Sequence, residues 1–130
     1  NTGRNAGAGQ SGVRGMIYNI TPVPKPRQTR SDKWKKRPSV LRYRAFADEV
    51  RLKVKDIELN HAAITFYMPM PKSWDAKKKA KMARMPHLQT PDIDNLAKAL
   101  FDALYADDCH IHEVTLRKRW DYEGSISIEF

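Results

Sequence analysis

Between Pro91 and Asp108 the chain reads Pro91-Asp92-Ile93-Asp94-Asn95-Leu96-Ala97-Lys98, then Ala99-Leu100-Phe101-Asp102-Ala103-Leu104, then Tyr105-Ala106-Asp107-Asp108. Two carboxylates two residues apart, a lysine four residues on and a later acidic pair suit a hard divalent cation beside a phosphate. Mg²⁺ prefers oxygen ligands and is held by a few carboxylates plus phosphate oxygens and water. A cation bound there can activate water and stabilise the charge that develops at a scissile phosphate. Lys98, one turn after Asp94, is placed to counter that charge or to position the attacking water. The bland alternative is that Asp92 or Asp94 caps a helix and that Asp94–Lys98 is an ordinary i,i+4 pair, contributing about 0.2–0.5 kcal/mol. Asn95, Lys98 and Asp107-Asp108 together favour the cation site. The later Asp/Asn, Gly and Glu of an EF-hand calcium loop are missing, so that motif is excluded.

A helix over about 93–105 must carry these groups. At roughly 100° per residue, Leu96, Ala99, Leu100 and Ala103 form one apolar stripe, and Asp94, Lys98 and Asp102 fall opposite. Asp92 sits just before the helix, and Asp107 and Asp108 follow it, where the chain is free to turn back. Around this helix, Met16–Ile20 reads as a short strand stopped by Pro22, Pro24 and Pro26. Pro38 and Ser39 open a helix over about 40–55, with Tyr43, Phe46, Ala47, Val50 and Val54 at helical spacing. Ala62–Met68 alternates as a strand ended by Pro69 and Pro71. Ser73 is a candidate N-cap for a short lysine-rich helix over about 74–84. Val114–Trp120 alternates Val114, Leu116, Lys118 and Trp120 against Thr115, Arg117 and Arg119. After a turn at Asp121–Gly124, Ser125–Phe130 alternates again. The last two strands are expected to form an antiparallel hairpin. The order β-α-β-α-α-β-β predicts an α+β domain, a mixed sheet covered by about three helices.

The charge of +9 comes from 24 Lys and Arg against 15 Asp and Glu, and it is concentrated. Lys25, Arg27, Arg30, Lys33, Lys35, Lys36, Arg37, Arg42 and Arg44 face Asp32 alone. Lys72, Lys77, Lys78, Lys79, Lys81 and Arg84 face Asp75 alone. Two basic stretches and an acidic remainder suit a bound polyanion. Trp34, among lysines, could stack on an unpaired base. Trp74 and Trp120 read as core or surface anchors.

With 130 residues, the chain is one domain. No apolar run is long enough to span a membrane. The lone cysteine, Cys109, forbids an intrachain disulfide and a multi-Cys zinc site, and fits a reducing, cytoplasmic setting. His87, His110 and His112 have no metal-ligand spacing with it. Residues 1–15 hold five of the six glycines and little apolar surface. They read as an appended flexible leader, with the domain spanning 16–130; the rival reading is a Gly-rich nucleic-acid-binding arm.

The acidic segment resembles the signature of the RusA-type Holliday-junction resolvases, in the run from Pro91 to Lys98, in Phe101-Asp102-Ala103-Leu104 and in Asp107-Asp108. Pro22-Val23-Pro24-Lys25-Pro26-Arg27 and Met68-Pro69-Met70-Pro71-Lys72-Ser73 resemble segments of that family's phage-like branch. Lys118 falls where the family has a lysine after its last acidic pair. The resemblance covers most of residues 16–130. It implies a homodimeric, Mg²⁺-dependent endodeoxyribonuclease, with Mn²⁺ a plausible substitute, that makes paired symmetric nicks in four-way DNA junctions during recombination and repair. By position, Asp92, Asp94 and Asp108 match the metal-binding carboxylates and Lys98 the catalytic lysine. Only Tyr105 and Ala106 separate the helix from Asp107-Asp108, a shorter loop than the family often has, which leaves Asp107 and Asp108 both open as third ligand. Lys25, Arg27, Arg30, Lys33, Lys35, Lys36, Arg37 and Lys118 are the expected DNA contacts. No membrane or small-molecule cofactor is expected. The competing reading is a non-catalytic binder of branched or single-stranded nucleic acid. A D-x-D metal-nucleotide transferase is disfavoured, because no Gly-rich phosphate loop is present.

Overall fold

The computed structural model describes residues 15–26 and 37–130. In chain order its elements are β1 (Gly15–Tyr18), α1 (Pro38–Lys53), β2 (Ala63–Pro69), α2 (Ala76–Met82), α3 (Ile93–Leu104), β3 (Thr115–Asp121) and β4 (Ser125–Glu129). This is the expected α+β architecture, with a mixed sheet in the order β1-β4-β2-β3. The first strand begins at Gly15, opposite Glu129, and ends two residues before the predicted Ile20. Residues 1–14 of the expected leader lie outside the described residues.

The two C-terminal strands run antiparallel to each other, but they do not pair as a hairpin. β2 lies between them, parallel to β3 and antiparallel to β4. The sheet gains by this arrangement because β2 is its most apolar strand, with Ile64 and Phe66 fully buried, and a central position covers both of its edges. Residues 122–124 have to cross two strand spacings, about 9–10 Å, which three linking residues can span. The crossing chain passes so close to Thr21 that a Cβ on Gly124 would lie 2.8 Å from the Thr21 Cα. Only glycine fits there.

Register places Ile64, Phe66 and Met68 beside Leu116, Lys118 and Trp120, and beside Ile128 and Ile126, on one face. The core contains these sheet residues except Leu116 and Lys118, together with Phe46, Ala47 and Val50 of α1 and Leu96, Ala99, Leu100 and Ala103 of α3. Helix α1 starts with Pro38 in its first turn and ends with Arg51 and Lys53, which suit the negative end of the helix dipole. The Arg51 Nε donates to the Ala103 carbonyl at 3.0 Å and ties α1 to the last turn of α3.

The lysine-rich helix is shorter than expected, and its cap is Asp75 rather than Ser73. Asp75 accepts from the Lys78 N–H at 2.8 Å. Residues 71–74 are spent on a turn, in which the Trp74 N–H donates to the Pro71 carbonyl. Trp74 thereby lies outside the helix and packs on Trp120, with ring centroids 4.8 Å apart. Both tryptophans act as anchors, as their composition suggested. No residue of α2 is buried.

Candidate active site

Helix α3 positions the acidic motif through its buried stripe, Leu96, Ala97, Ala99, Leu100 and Ala103. With that stripe facing inward, Asp94 and Lys98 are exposed and Asp102 is half-buried. Asp92 stands at the N-cap, yet its side chain makes no capping hydrogen bond. Asp94 and Lys98 form no ion pair with each other. Both results go against the bland reading, in which these carboxylates are consumed by helix capping and by a surface pair.

Asp92 and Asp94 line one open cleft of about 540 Å³, together with His87, Leu88, Arg117 and Lys118. A single lysine braces one side of the cleft. Lys118 lies on the inward face of β3, and its Nζ donates to the Gln89 carbonyl at 2.5 Å and to the Pro91 carbonyl at 2.6 Å. The second acceptor belongs to the residue directly before Asp92. The His87 N–H donates to the Lys118 carbonyl at 3.0 Å. The His87 ring is 5% exposed and packs on Trp120, centroids 4.1 Å apart. Burial, then the charge of Lys118, pushes the His87 pKa down, so the ring is neutral at pH 7. Lys118, expected as a DNA contact, is thus engaged in bracing the loop that delivers Asp92.

The basic segment before the helix is also tied to α3. The Lys25 N–H donates to the Asn95 carbonyl at 3.3 Å, and the Lys25 ammonium is ion-paired with Asp102. The hydrogen bond to Asp102 raises the Lys25 pKa. Lys25 therefore spends its charge inside the protein and leads the chain across the helix. Arg37 lies directly before α1, at its N-cap. Arg27, Arg30, Lys33, Trp34, Lys35 and Lys36 lie outside the described residues.

The acidic pair after α3 is split by its environment. Asp107 accepts from the Cys109 N–H at 3.0 Å, which holds its carboxyl below the usual carboxylate range. Asp108 makes no such side-chain bond and lines a second open cavity of about 590 Å³ with Phe101, Ile111, His112 and Glu113. The structure therefore sets Asp92 and Asp94 in one cleft and Asp108 in a different cavity. Among the described residues no three His, Cys, Asp or Glu side chains converge on one point. His110 and His112 lie apart from His87: His110 is 3.3 Å from Glu58, and His112 packs edge-on against His61.

A family model described as endodeoxyribonuclease RusA matches residues 19–130. The chain belongs to the RusA endodeoxyribonuclease family. A search of curated proteins found no match. The matched span contains the whole acidic segment and every element of the fold except β1, which ends at Tyr18, one residue before the match begins. The RusA assignment makes the protein a DNA-cutting enzyme of the Holliday-junction-resolving type, and it removes the nucleotide transferase from consideration.

The brace formed by Lys118 and the burial of His87 were missed at the level of sequence roles. The signal for Lys118 was present: in the alternation Val114, Leu116, Lys118, Trp120 a lysine occupies an inward position, where a charged group needs internal partners. Nothing in the sequence marks His87 in the same way.

Proposed function

We propose that the protein is a Mg²⁺-dependent, homodimeric resolvase that cuts four-way DNA junctions by paired symmetric nicks. The observation that carries this reading is the single cleft lined by both Asp92 and Asp94, with neither carboxylate spent on capping or pairing within the helix. The donor set fits the cation. Two exposed carboxylates offer hard oxygen ligands, and Mg²⁺ is commonly held by one or two carboxylates with substrate phosphates and water completing its shell. Mn²⁺ suits the same donors. When bound, the cation supplies Lewis-acid stabilisation of the charge developing on the scissile phosphate.

The protein's own groups have separable tasks in this proposal. Asp92 and Asp94 hold the cation. Lys118 fixes the carbonyl of Pro91 and so sets where Asp92 stands. Lys98, exposed and unpaired one turn along α3, faces the substrate and offsets phosphate charge. Asp108 is the better third acidic partner than Asp107, whose carboxylate already accepts the Cys109 N–H. Arg37 and the basic residues from Arg27 to Lys36 contact the junction arms. A lone exposed cysteine suits a cytoplasmic enzyme.

The dimer follows from the substrate. A four-way junction presents two strands to cut, related by an approximate two-fold axis, and each subunit carries one acidic motif. A C2 pair matches that symmetry. The test is a labelled synthetic junction incubated with the protein in Mg²⁺, Mn²⁺ or EDTA, with sedimentation of the protein and of the complex. Paired nicks in Mg²⁺ and Mn²⁺, none in EDTA, and a dimer on the junction are expected. Binding without cleavage in any divalent cation would instead establish a non-catalytic junction binder.

A further inference from the structure

The most exposed large apolar side chain among the described residues is Leu88, at 88%. Isolated exposed leucines are ordinary when they sit on loose or peripheral segments. Leu88 does not. Its preceding residue, His87, is buried against Trp120 and bonded through its N–H to the Lys118 carbonyl. Its following residue, Gln89, has its carbonyl held by the Lys118 ammonium at 2.5 Å. The backbone is therefore fixed on both sides of a leucine that contributes nothing to the core. The same leucine lines the cleft that holds Asp92 and Asp94.

We propose that Leu88 is a nucleotide-contacting residue that packs its side chain against the base or sugar next to the scissile phosphate, and so influences which steps are cut. The inference rests on the reading of this cleft as a nuclease site, and it adds a specificity determinant to it. The occupant is nucleic acid because of what surrounds the leucine. Arg117 lines the same cleft, as do the apolar Pro86, Ile93 and Leu116 and the carboxylates of Asp92 and Asp94, so a cation and apolar side chains lie together beside the acidic motif. A ligand offering a phosphate for Arg117 and a flat apolar face for Leu88 matches this cleft. Apolar side chains, leucine among them, that press on base steps partly unstack them.

The test uses the full-length protein and a four-way junction with a mobile homologous core, in Mg²⁺, under single-turnover conditions. Leu88→Ala and Leu88→Ser are compared with Leu88→Phe, which keeps an apolar surface, and with Leu52→Ala on α1. Leu52 is similarly exposed, at 70%, and lies outside the cleft. The two polar or truncated variants are expected to cut about tenfold more slowly and to spread their cuts over more positions. Leu88→Phe retains most of the rate, and Leu52→Ala behaves as wild type. 2-Aminopurine placed at the branch point brightens on binding wild type and brightens less with Leu88→Ala. Wild-type rate and cut positions in Leu88→Ala would overturn the inference. So would a loss of rate explained by loss of the dimer in sedimentation, which would make Leu88 a subunit contact. A wild-type protein that neither binds nor cuts junctions would overturn the functional reading, and this inference with it.

Discussion

Lysine is used in two opposite ways on the two sides of Trp120. On one side, Lys118 stands on the inward face of β3 and gives two hydrogen bonds to carbonyls of the loop before Asp92. On the other side, α2 presents Lys77, Lys78, Lys79 and Lys81 from a helix that buries nothing, although Lys78 does lie over the Trp74 ring at 4.3 Å. Those four make no ion pair with an acidic residue among the described residues. The single lysine is part of the architecture, and its charge is consumed by the protein. The cluster adds little to the fold, and its charge is available to a polyanion. Charge counted along the sequence treats the five alike; burial and hydrogen bonding separate them.

The largest effect expected from breaking this contrast is at Lys118. Lys118→Met keeps the length and apolar character of the side chain but leaves the Gln89 and Pro91 carbonyls without their donor. Stability should fall by about 1–3 kcal/mol, seen as a lower midpoint in urea. Cleavage should fall further than stability explains, by tens of fold, because Asp92 is no longer held in place. Lys118→Arg should recover part of the rate. A Lys118→Met variant that weakened junction binding but cut at the wild-type rate when saturated would return Lys118 to the role of a phosphate contact.

A smaller effect, on a different observable, is expected from α2. Replacing Lys77, Lys79 and Lys81 together by Ala, and keeping Lys78 over the Trp74 ring, should leave the unfolding free energy within about 0.5 kcal/mol of wild type, since Lys and Ala have similar helix propensities and none of the three is buried. Junction affinity should fall, and the slope of log K against log salt should flatten by about 0.9 for each duplex phosphate contact removed. An unchanged slope would show that the helix is a solvated basic face and nothing more.

The smallest effect concerns the neutral His87 ring beside Lys118. Its folded-state pKa is lowered by burial, so the unfolded chain takes up a proton that the folded protein resists. Its contribution is fully present above the unfolded value near 6.5 and is lost as pH falls from there toward the folded value. Stability measured from pH 7.5 to 5 should decline over that window, and less so in His87→Phe. Equal slopes in the two proteins would remove His87 from the account.

Most of the architecture was legible because burial writes a period into the chain. The stripe Leu96, Ala99, Leu100 and Ala103 marked α3, and alternation marked the strands within one or two residues. What alternation cannot state is which strand lies beside which. A short link between β3 and β4 suggested a hairpin, but the apolar β2 takes the place between them, and Gly124 lets the link pass over Thr21. The cap at Asp75 was missed because Pro71 and Trp74 make a turn whose cause is tertiary, the packing of Trp74 on Trp120. Within the site, Asp92, Asp94 and Lys98 were singled out by spacing together with Asn95 and Asp107-Asp108, and the structure sets Asp92 and Asp94 in one cleft. The difference between Asp107 and Asp108 depends on a single backbone hydrogen bond from Cys109, which spacing does not encode.

The central claim is that Asp92 and Asp94 act on a cation and not on the fold. The direct measurement is single-turnover cleavage of a four-way junction in Mg²⁺ by wild type, Asp92→Asn and Asp94→Asn, with junction binding and thermal unfolding recorded for each. Both substitutions should reduce cleavage by at least about a hundredfold, since metal-binding charge is lost, while the unfolding temperature stays near that of wild type and the junction is bound as tightly or more tightly. Cleavage at the wild-type rate by either variant, or loss of cleavage accompanied by unfolding, would contradict the account.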